Sequence, residues 1–179
     1  MLHVNRRIKD IVGSTTLAIT ARAKELAAQG HDVVNFGAGE PDFDTPDFIK
    51  EAGIKAIQSG QTKYTPSIGT QDLREAIAAK FLKDNNLTYK PNQIVVSCGA
   101  KHSLFNIIQV LVDDGDEVIF QAPYWVSYPE MVKAAGGKSV IIDTDKTTHF
   151  KITPELLNKH ITPKTRILII NSPSNPTGV

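Results

Sequence analysis

From Gln93 onward the sequence alternates between short apolar runs and amphipathic stretches, and this alternation restricts the fold more than any other feature. Ile94 to Ser97, Glu117 to Gln121, Ser139 to Ile142 and Arg166 to Ile170 read as strands. Between them, Ala100 to Val112, Tyr128 to Ala135 and Pro154 to His160 read as helices, the first with Leu104, Ile107, Ile108 and Leu111 at helical spacing. Strands separated by helices pair in parallel, because the crossover returns the chain to the same end of the sheet. The expected fold class is α/β, a mostly parallel sheet with helices on both faces. In such a sheet, ligands bind in the loops just past the C-terminal ends of the strands.

Three of those loops have chemistry. After Ile170 comes Asn171-Ser172-Pro173-Ser174-Asn175-Pro176-Thr177-Gly178. Its prolines lack donors and fix φ, so the strand halts and Asn175 is held at the sheet edge. A turn with no function is the alternative for this loop taken alone. Ser97-Cys98-Gly99-Ala100-Lys101 joins a strand to a helix. Unpaired N–H groups at a helix start and the charge of Lys101 form an anion site, though the Gly-x-x-x-x-Gly-Lys pattern of a P-loop is absent. A turn with a solvated lysine is the competing reading. Gln121-Ala122-Pro123-Tyr124-Trp125 contains the single tryptophan, either a plate for a planar ring or a lid over the core. Together the three loops suit a flat, phosphorylated cofactor with polar edges.

The first half reads as helices and connecting loops. Residues 1 to 13 form an arm, and Ser14-Thr15-Thr16 caps a helix running to about Gln29. Val33 to Phe36 reads as a short strand, followed by the long loop Gly37 to Pro46. Thr45 is expected to cap a helix starting at Pro46 and ending near Gly60. A third helix spans about Thr70 to Asn85, with Leu73, Ile77, Phe81 and Leu82 facing the core and Arg74, Glu75 and Lys80 facing water. Cys98 reads as a small buried residue, and the five histidines show no metal-ligand spacing.

Composition narrows the function classes. The 179 residues are 41% hydrophobic with a net charge of +1, so nothing favours nucleic acid or an acidic membrane surface. No apolar run approaches the roughly 20 residues of a membrane span. One cysteine and an N-terminus without a secretory h-region make the cytoplasm the expected location.

The motifs Gly39-Glu40-Pro41-Asp42-Phe43-Asp44-Thr45-Pro46, Tyr64-Thr65-Pro66, Pro123-Tyr124-Trp125 and Asn171 to Gly178 occur in one order along the chain. In that order they resemble the N-terminal part of the fold-type I, pyridoxal-phosphate-dependent class I aminotransferases. The subgroup most similar contains bacterial aspartate and prephenate aminotransferases. The resemblance implies an arm and small-domain segment over residues 1–45 and the first part of the large, cofactor-binding domain over residues 46–179. It implies that Gly99, Ala100 and Lys101 bind the cofactor phosphate, with Lys101 also meeting an acidic substrate's distal carboxylate. Trp125 would stack on the pyridine ring. Asn175 would bind the ring's phenolic oxygen and the substrate α-carboxylate, which the backbone of Gly39 also approaches. Tyr64 would reach the partner's cofactor phosphate in a homodimer. Cis peptide bonds are expected before Pro123 and Pro176.

The family's covalent cofactor lysine would lie beyond position 179, so the resemblance implies no catalytic residue within this chain and an incomplete enzyme in isolation. The implied reaction moves an amino group between aspartate and 2-oxoglutarate, that is, between an amino acid and a 2-oxo acid. Prephenate, aromatic amino acids or diaminopimelate are alternative substrates. A noncatalytic pyridoxal-phosphate-binding chain is the alternative of another class.

Overall fold

The structure is a computed structural model that describes residues 3, 5–9, 11–37 and 39–179. Parts of the expected arm (Met1, Leu2, Val4 and Asp10) and Ala38 of the Gly37–Pro46 loop lie outside the described residues. The chain divides into two compact units. One comprises Met1–Ile19 with Ala100–Val179, and the other comprises Thr20–Gly99.

The first unit is built on a parallel sheet of β1 (Glu117–Ala122), β2 (Lys138–Asp143) and β3 (Thr165–Ile169), in the order β2-β1-β3. β1 is central. Phe120 lies opposite Ile141 on one side and Ile169 on the other, with an irregularity between Glu117 and Val118 on the β3 side. Val118, Ile119 and Phe120 are all buried, as expected for a parallel strand covered on both faces. Alternation sends Val118 and Phe120 to one face. There they meet Ile108 of α5 (Ala100–Leu111) and Tyr128, Met131 and Val132 of α6 (Ser127–Ala134). Ile119 points to the opposite face, as does the buried Ile142 of β2, against which α7 (Pro154–His160) packs. Thr153 caps α7 by accepting the Leu156 N–H at 3.3 Å, with Pro154 at the first helical position. Each fully buried side chain of this size contributes about 1.5–3 kcal/mol.

The N-terminal ends of the strands are tied by charge. Glu117 accepts the Thr162 hydroxyl at 2.7 Å and the Lys138 ammonium at 3.4 Å, and its own N–H donates to the Lys164 carbonyl. The Thr162 hydrogen bond leads in holding its carboxyl below the usual range; partial burial opposes this and Lys138 assists. Neighbouring Asp116 is also lowered, chiefly by the Asp113 N–H, against partial burial and with help from Arg166. The short helix α1 (Arg6–Lys9) joins the same end through Arg7, 2.9 Å from Asp114, and the Val12 N–H donates to Glu130 at 3.1 Å. Gly136 makes room for this contact. It sits at φ +86, and a Cβ there would collide with the Asp114 carboxylate.

The second unit is helical. In α2 (Thr15–Ala28), which begins just before this unit, Ser14 accepts the Leu17 N–H at 3.3 Å, and Gly30 at φ +88 ends the helix. α3 (Asp47–Gln58) starts one residue later than expected. Pro46 rather than Thr45 stands at its N-cap, and Asp44 and Asp47 both grip Lys50, at 2.9 and 2.8 Å. α4 (Gln71–Asn85) has the expected extent but a different inner face. Arg74, expected in water, is buried, while Leu73 and Leu82 are exposed. Its guanidinium donates to the Gly69 carbonyl at 3.2 Å, the Pro91 carbonyl at 2.9 Å and the Gln71 amide oxygen at 2.7 Å. A forked cation whose donors are occupied by carbonyl oxygens can be buried, and here it braces the segments at both ends of α4.

Two expected strands do not form among the described residues. Val33 to Phe36 has no ladder partner, and Val34 and Phe36 stand exposed. Ile94 to Ser97 pairs with no strand either: the Val96 N–H donates to the Ile68 carbonyl at 3.0 Å, while the Ile94 N–H and the Ser97 carbonyl are used locally, on the Pro91 carbonyl and the Gly99 N–H. A strand is a pairing, and an apolar run without an adjacent strand makes no ladder.

Gly136→Ala is expected to lower stability by about 1–3 kcal/mol, from the left-handed backbone and the displaced Asp114. Gly53→Ala, inside α3 with open space around its Cβ, is expected to raise it by about 0.5–1 kcal/mol. Urea unfolding of both variants checks the contrast, and a stabilising Gly136→Ala would refute the account. Glu117 has a depressed folded pKa, so its contribution is complete above the ordinary carboxylate range, about pH 4.5, and declines as pH falls through the folded value. Glu117→Gln should flatten the fall in stability between about pH 5 and 3, and an unchanged acid limb would count against the Thr162 bond.

Candidate cofactor site

β1 and β3 are parallel neighbours, so the loops after Ala122 and Ile169 emerge at one edge of the sheet. The first loop begins with a cis peptide bond between Ala122 and Pro123, as expected. Thr144 anchors it, its hydroxyl donating to the Ala122 carbonyl at 2.6 Å and its N–H to the same oxygen at 3.3 Å. Gln121 donates to the Phe150 carbonyl at 2.6 Å and ties down the loop that follows β2. Tyr124 packs edge-on against Phe120 at 4.9 Å between ring centroids, and Trp125 against Tyr128 at 5.6 Å and 89°. Trp125 is therefore both core and surface. One part of the indole extends the buried cluster, while the side chain as a whole stays half-buried. Burial pushes the Tyr128 phenol above its ordinary pKa, so it stays protonated behind the indole.

α5 starts at Ala100, immediately after Gly99 at φ +82. A side chain other than glycine rarely adopts that conformation, and no heavy atom lies within 4 Å of where a Cβ would stand. The backbone is thus open to close approach by a ligand. The first N–H groups of this 12-residue helix have no intrahelical acceptor and present partial positive charge. Lys101, in the first turn, holds its ammonium 5.0 Å from the centroid of the Trp125 ring. A cation, a helix start and an aromatic face share one place.

The loop after β3 contains two cis bonds, Asn175-Pro176 as expected and Ser172-Pro173 in addition. The Gly178 N–H donates to the Ser174 carbonyl and the Ser174 N–H to the Val179 carbonyl, both at 2.7 Å. Ser174 is buried, and Asn175 is exposed. The Asn175 N–H donates to the side-chain oxygen of Asn171 at 2.7 Å. The Thr177 hydroxyl is buried without a partner among the described residues.

Of the residues singled out from sequence, the structure thus brings Lys101 and Trp125 into contact, with Ala100 starting the same helix and Asn175 on the loop beyond β1's neighbour. Gly39 and Tyr64 belong to the other unit, and both are exposed. Cys98 lies exposed without a disulfide, contrary to the buried position expected, because the run before it is not inside a sheet. Thr144, Gln121 and Asn171 escape a reading of local sequence. They act on backbone groups, two of them more than 20 residues away, and a lone polar residue gives no periodic signal.

The donor set fits pyridoxal phosphate. Open helix-start N–H groups and an ammonium suit its phosphate, a half-buried indole suits its ring, and an exposed amide suits a polar ring edge. Among the described residues, no group of three or more His, Cys, Asp or Glu could hold a metal ion, and no helix is long and apolar enough to cross a membrane.

Comparisons with known proteins agree with this chemistry. A sequence model of aminotransferase class I and II matches residues 31–179. The chain is 56% identical over 178 residues to an aspartate aminotransferase of Bacillus subtilis (strain 168), covering 99% of this chain and 45% of that protein. It is 51% identical over 177 residues to an aspartate/prephenate aminotransferase of Nitrosomonas europaea, again 99% and 45% of the two. Among solved structures, the aspartate aminotransferase from Thermus thermophilus with maleate superposes with a TM-score of 0.95 at 48% identity, covering 98% of this chain and 46% of that one. The chain thus spans a little under half the length of these relatives. With 149 consecutive residues matched by the family's sequence model and a parallel α/β sheet shared with its solved structures, this chain belongs to the class I and II aminotransferases.

Proposed function

We propose that the protein carrying this chain transfers an amino group between aspartate and 2-oxoglutarate with pyridoxal 5'-phosphate as cofactor, as a cytoplasmic homodimer. The observation that carries the reading is the Lys101 ammonium 5.0 Å from the Trp125 ring centroid, at the start of α5. When bound, the cofactor supplies an electron sink and a carbon that accepts and passes on the amino group.

The chain's own residues bind and orient. The backbone at Gly99, the Ala100 N–H and the Lys101 charge attract the phosphate, the Gly99 N–H itself being taken up by the Ser97 carbonyl at 2.8 Å. Trp125, backed by Tyr128, fixes the plane of the ring by stacking. The Asn175 amide would donate to the phenolic oxygen of the ring and, with substrate bound, to the substrate α-carboxylate, which the Gly39 backbone would also meet. Lys101 selects a substrate with a second negative charge, and Tyr64 serves the cofactor phosphate of the partner subunit. Residues 1–45 belong to an arm and small-domain segment and residues 46–179 to the first part of the large domain. No catalytic base is assigned within these residues, and the isolated chain is expected not to turn over.

A second reading gives prephenate the place of the keto acid. It is favoured by the names of relatives such as that of Nitrosomonas europaea, an aspartate/prephenate aminotransferase.

In a protein of the relatives' length, Lys101→Ala is expected to lower the ratio of aspartate to alanine turnover by on the order of tenfold or more, the scale of a charge-assisted hydrogen bond. Affinity for pyridoxal phosphate should fall less. An unchanged ratio would remove Lys101 from substrate selection. For the chain itself, quenching of the single tryptophan by added pyridoxal phosphate measures binding at Trp125. Borohydride reduction and peptide mapping should then leave no cofactor on any lysine of this chain, and one stoichiometrically labelled lysine would overturn the assignment.

A further inference from the structure

We infer that Asn171 is a positioning residue: its side-chain oxygen sets where Asn175 stands at the sheet edge. The inference rests on the reading in which Asn175 faces the cofactor ring.

The loop after β3 has few ways to fix itself. Pro173 and Pro176 have no N–H, so the stretch from Ser172 to Pro176 has three backbone donors. Ser174 uses its donor on the Val179 carbonyl, and Gly178 returns a bond to Ser174. Those two bonds shape the far half of the loop without fastening it to the strand. The Asn175 N–H goes back to Asn171, two residues beyond the end of β3, at 2.7 Å. β3 is itself anchored, with Ile169 opposite the buried Phe120. The tie from the end of β3 to the Asn175 backbone is this amide oxygen, and Ser174 beside it is buried. Backbone N–H groups elsewhere in the loop cannot replace it, and a leucine of similar size at 171 supplies no acceptor. A shift of about an ångström at Asn175 is enough to spoil a hydrogen bond aimed at a ligand.

The test uses the full-length holoenzyme with Asn171→Leu, Asn171→Asp and Asn175→Ala. Two quantities are read: the pH midpoint of the bound cofactor's visible absorption, and the affinity for pyridoxal phosphate on reconstitution. Asn175→Ala is expected to move the midpoint. Asn171→Leu should move it in the same direction and weaken cofactor affinity by about 3- to 10-fold, the scale of one neutral hydrogen bond. Asn171→Asp keeps the acceptor and should keep the Asn175 amide slow to exchange with deuterium, whereas Asn171→Leu loses that protection. If Asn171→Leu does not fold, Asn171→Ala is read in the same way. A moved midpoint in Asn175→Ala with none in the Asn171 variant overturns the inference alone. An unmoved midpoint in Asn175→Ala overturns the reading of Asn175 and the inference with it. Loss of amide protection in Asn171→Asp also overturns it, because the acceptor is then not the link.

Discussion

The burial of β1 between two parallel neighbours is the constraint on which the sheet-bearing unit depends. Val118, Ile119 and Phe120 are sealed on both faces, by α5 and α6 on one side and by the side nearest α7 on the other. A strand in that position has no freedom of register. Slipping it by one residue would exchange Phe120 for Ile119 against Tyr128 and Met131. Its end is fixed in the same way, and so is the start of the loop that holds Trp125.

The candidate site follows from that topology. Parallel strands direct their outgoing loops to one edge, so the loops bearing Trp125 and Asn175 leave β1 and β3 on the same side. α5 packs on the face bearing Phe120, which puts its charged N-terminal turn beside the indole. The side chains that hold these loops still are uncharged and inconspicuous. Thr144 grips the carbonyl before Pro123, and Asn171 grips the N–H of Asn175. The site is shaped by hydrogen bonds from polar side chains to main chain, where proline has removed the usual backbone donors.

Much of this was legible along the chain. The helices over α2, α4 and α7 and the strands β1 to β3 announce themselves by period and by punctuation, and Gly30 and Pro154 stand where a stop and a first turn require them. The errors share a cause. Ile94 to Ser97 and Val33 to Phe36 have the composition of strands, yet pairing depends on a neighbour that local sequence does not name. Arg74 looks like a solvated residue of α4 until the carbonyls of Gly69 and Pro91 are found around it. Cys98 looks like a core residue only if the run before it lies inside a sheet.

By itself, the sequence determined the three strands of the parallel sheet, the glycine turn before α5, the proline turns that halt the strands and the residue types offered to a flat, phosphorylated ligand. These are local matters of period, donor inventory and backbone freedom. The tertiary structure alone decided which runs found a partner, that Lys101 lies over Trp125, and that Asn171 and Thr144 hold the loops. Those are contacts between groups brought together by packing, and only the folded chain specifies their distances.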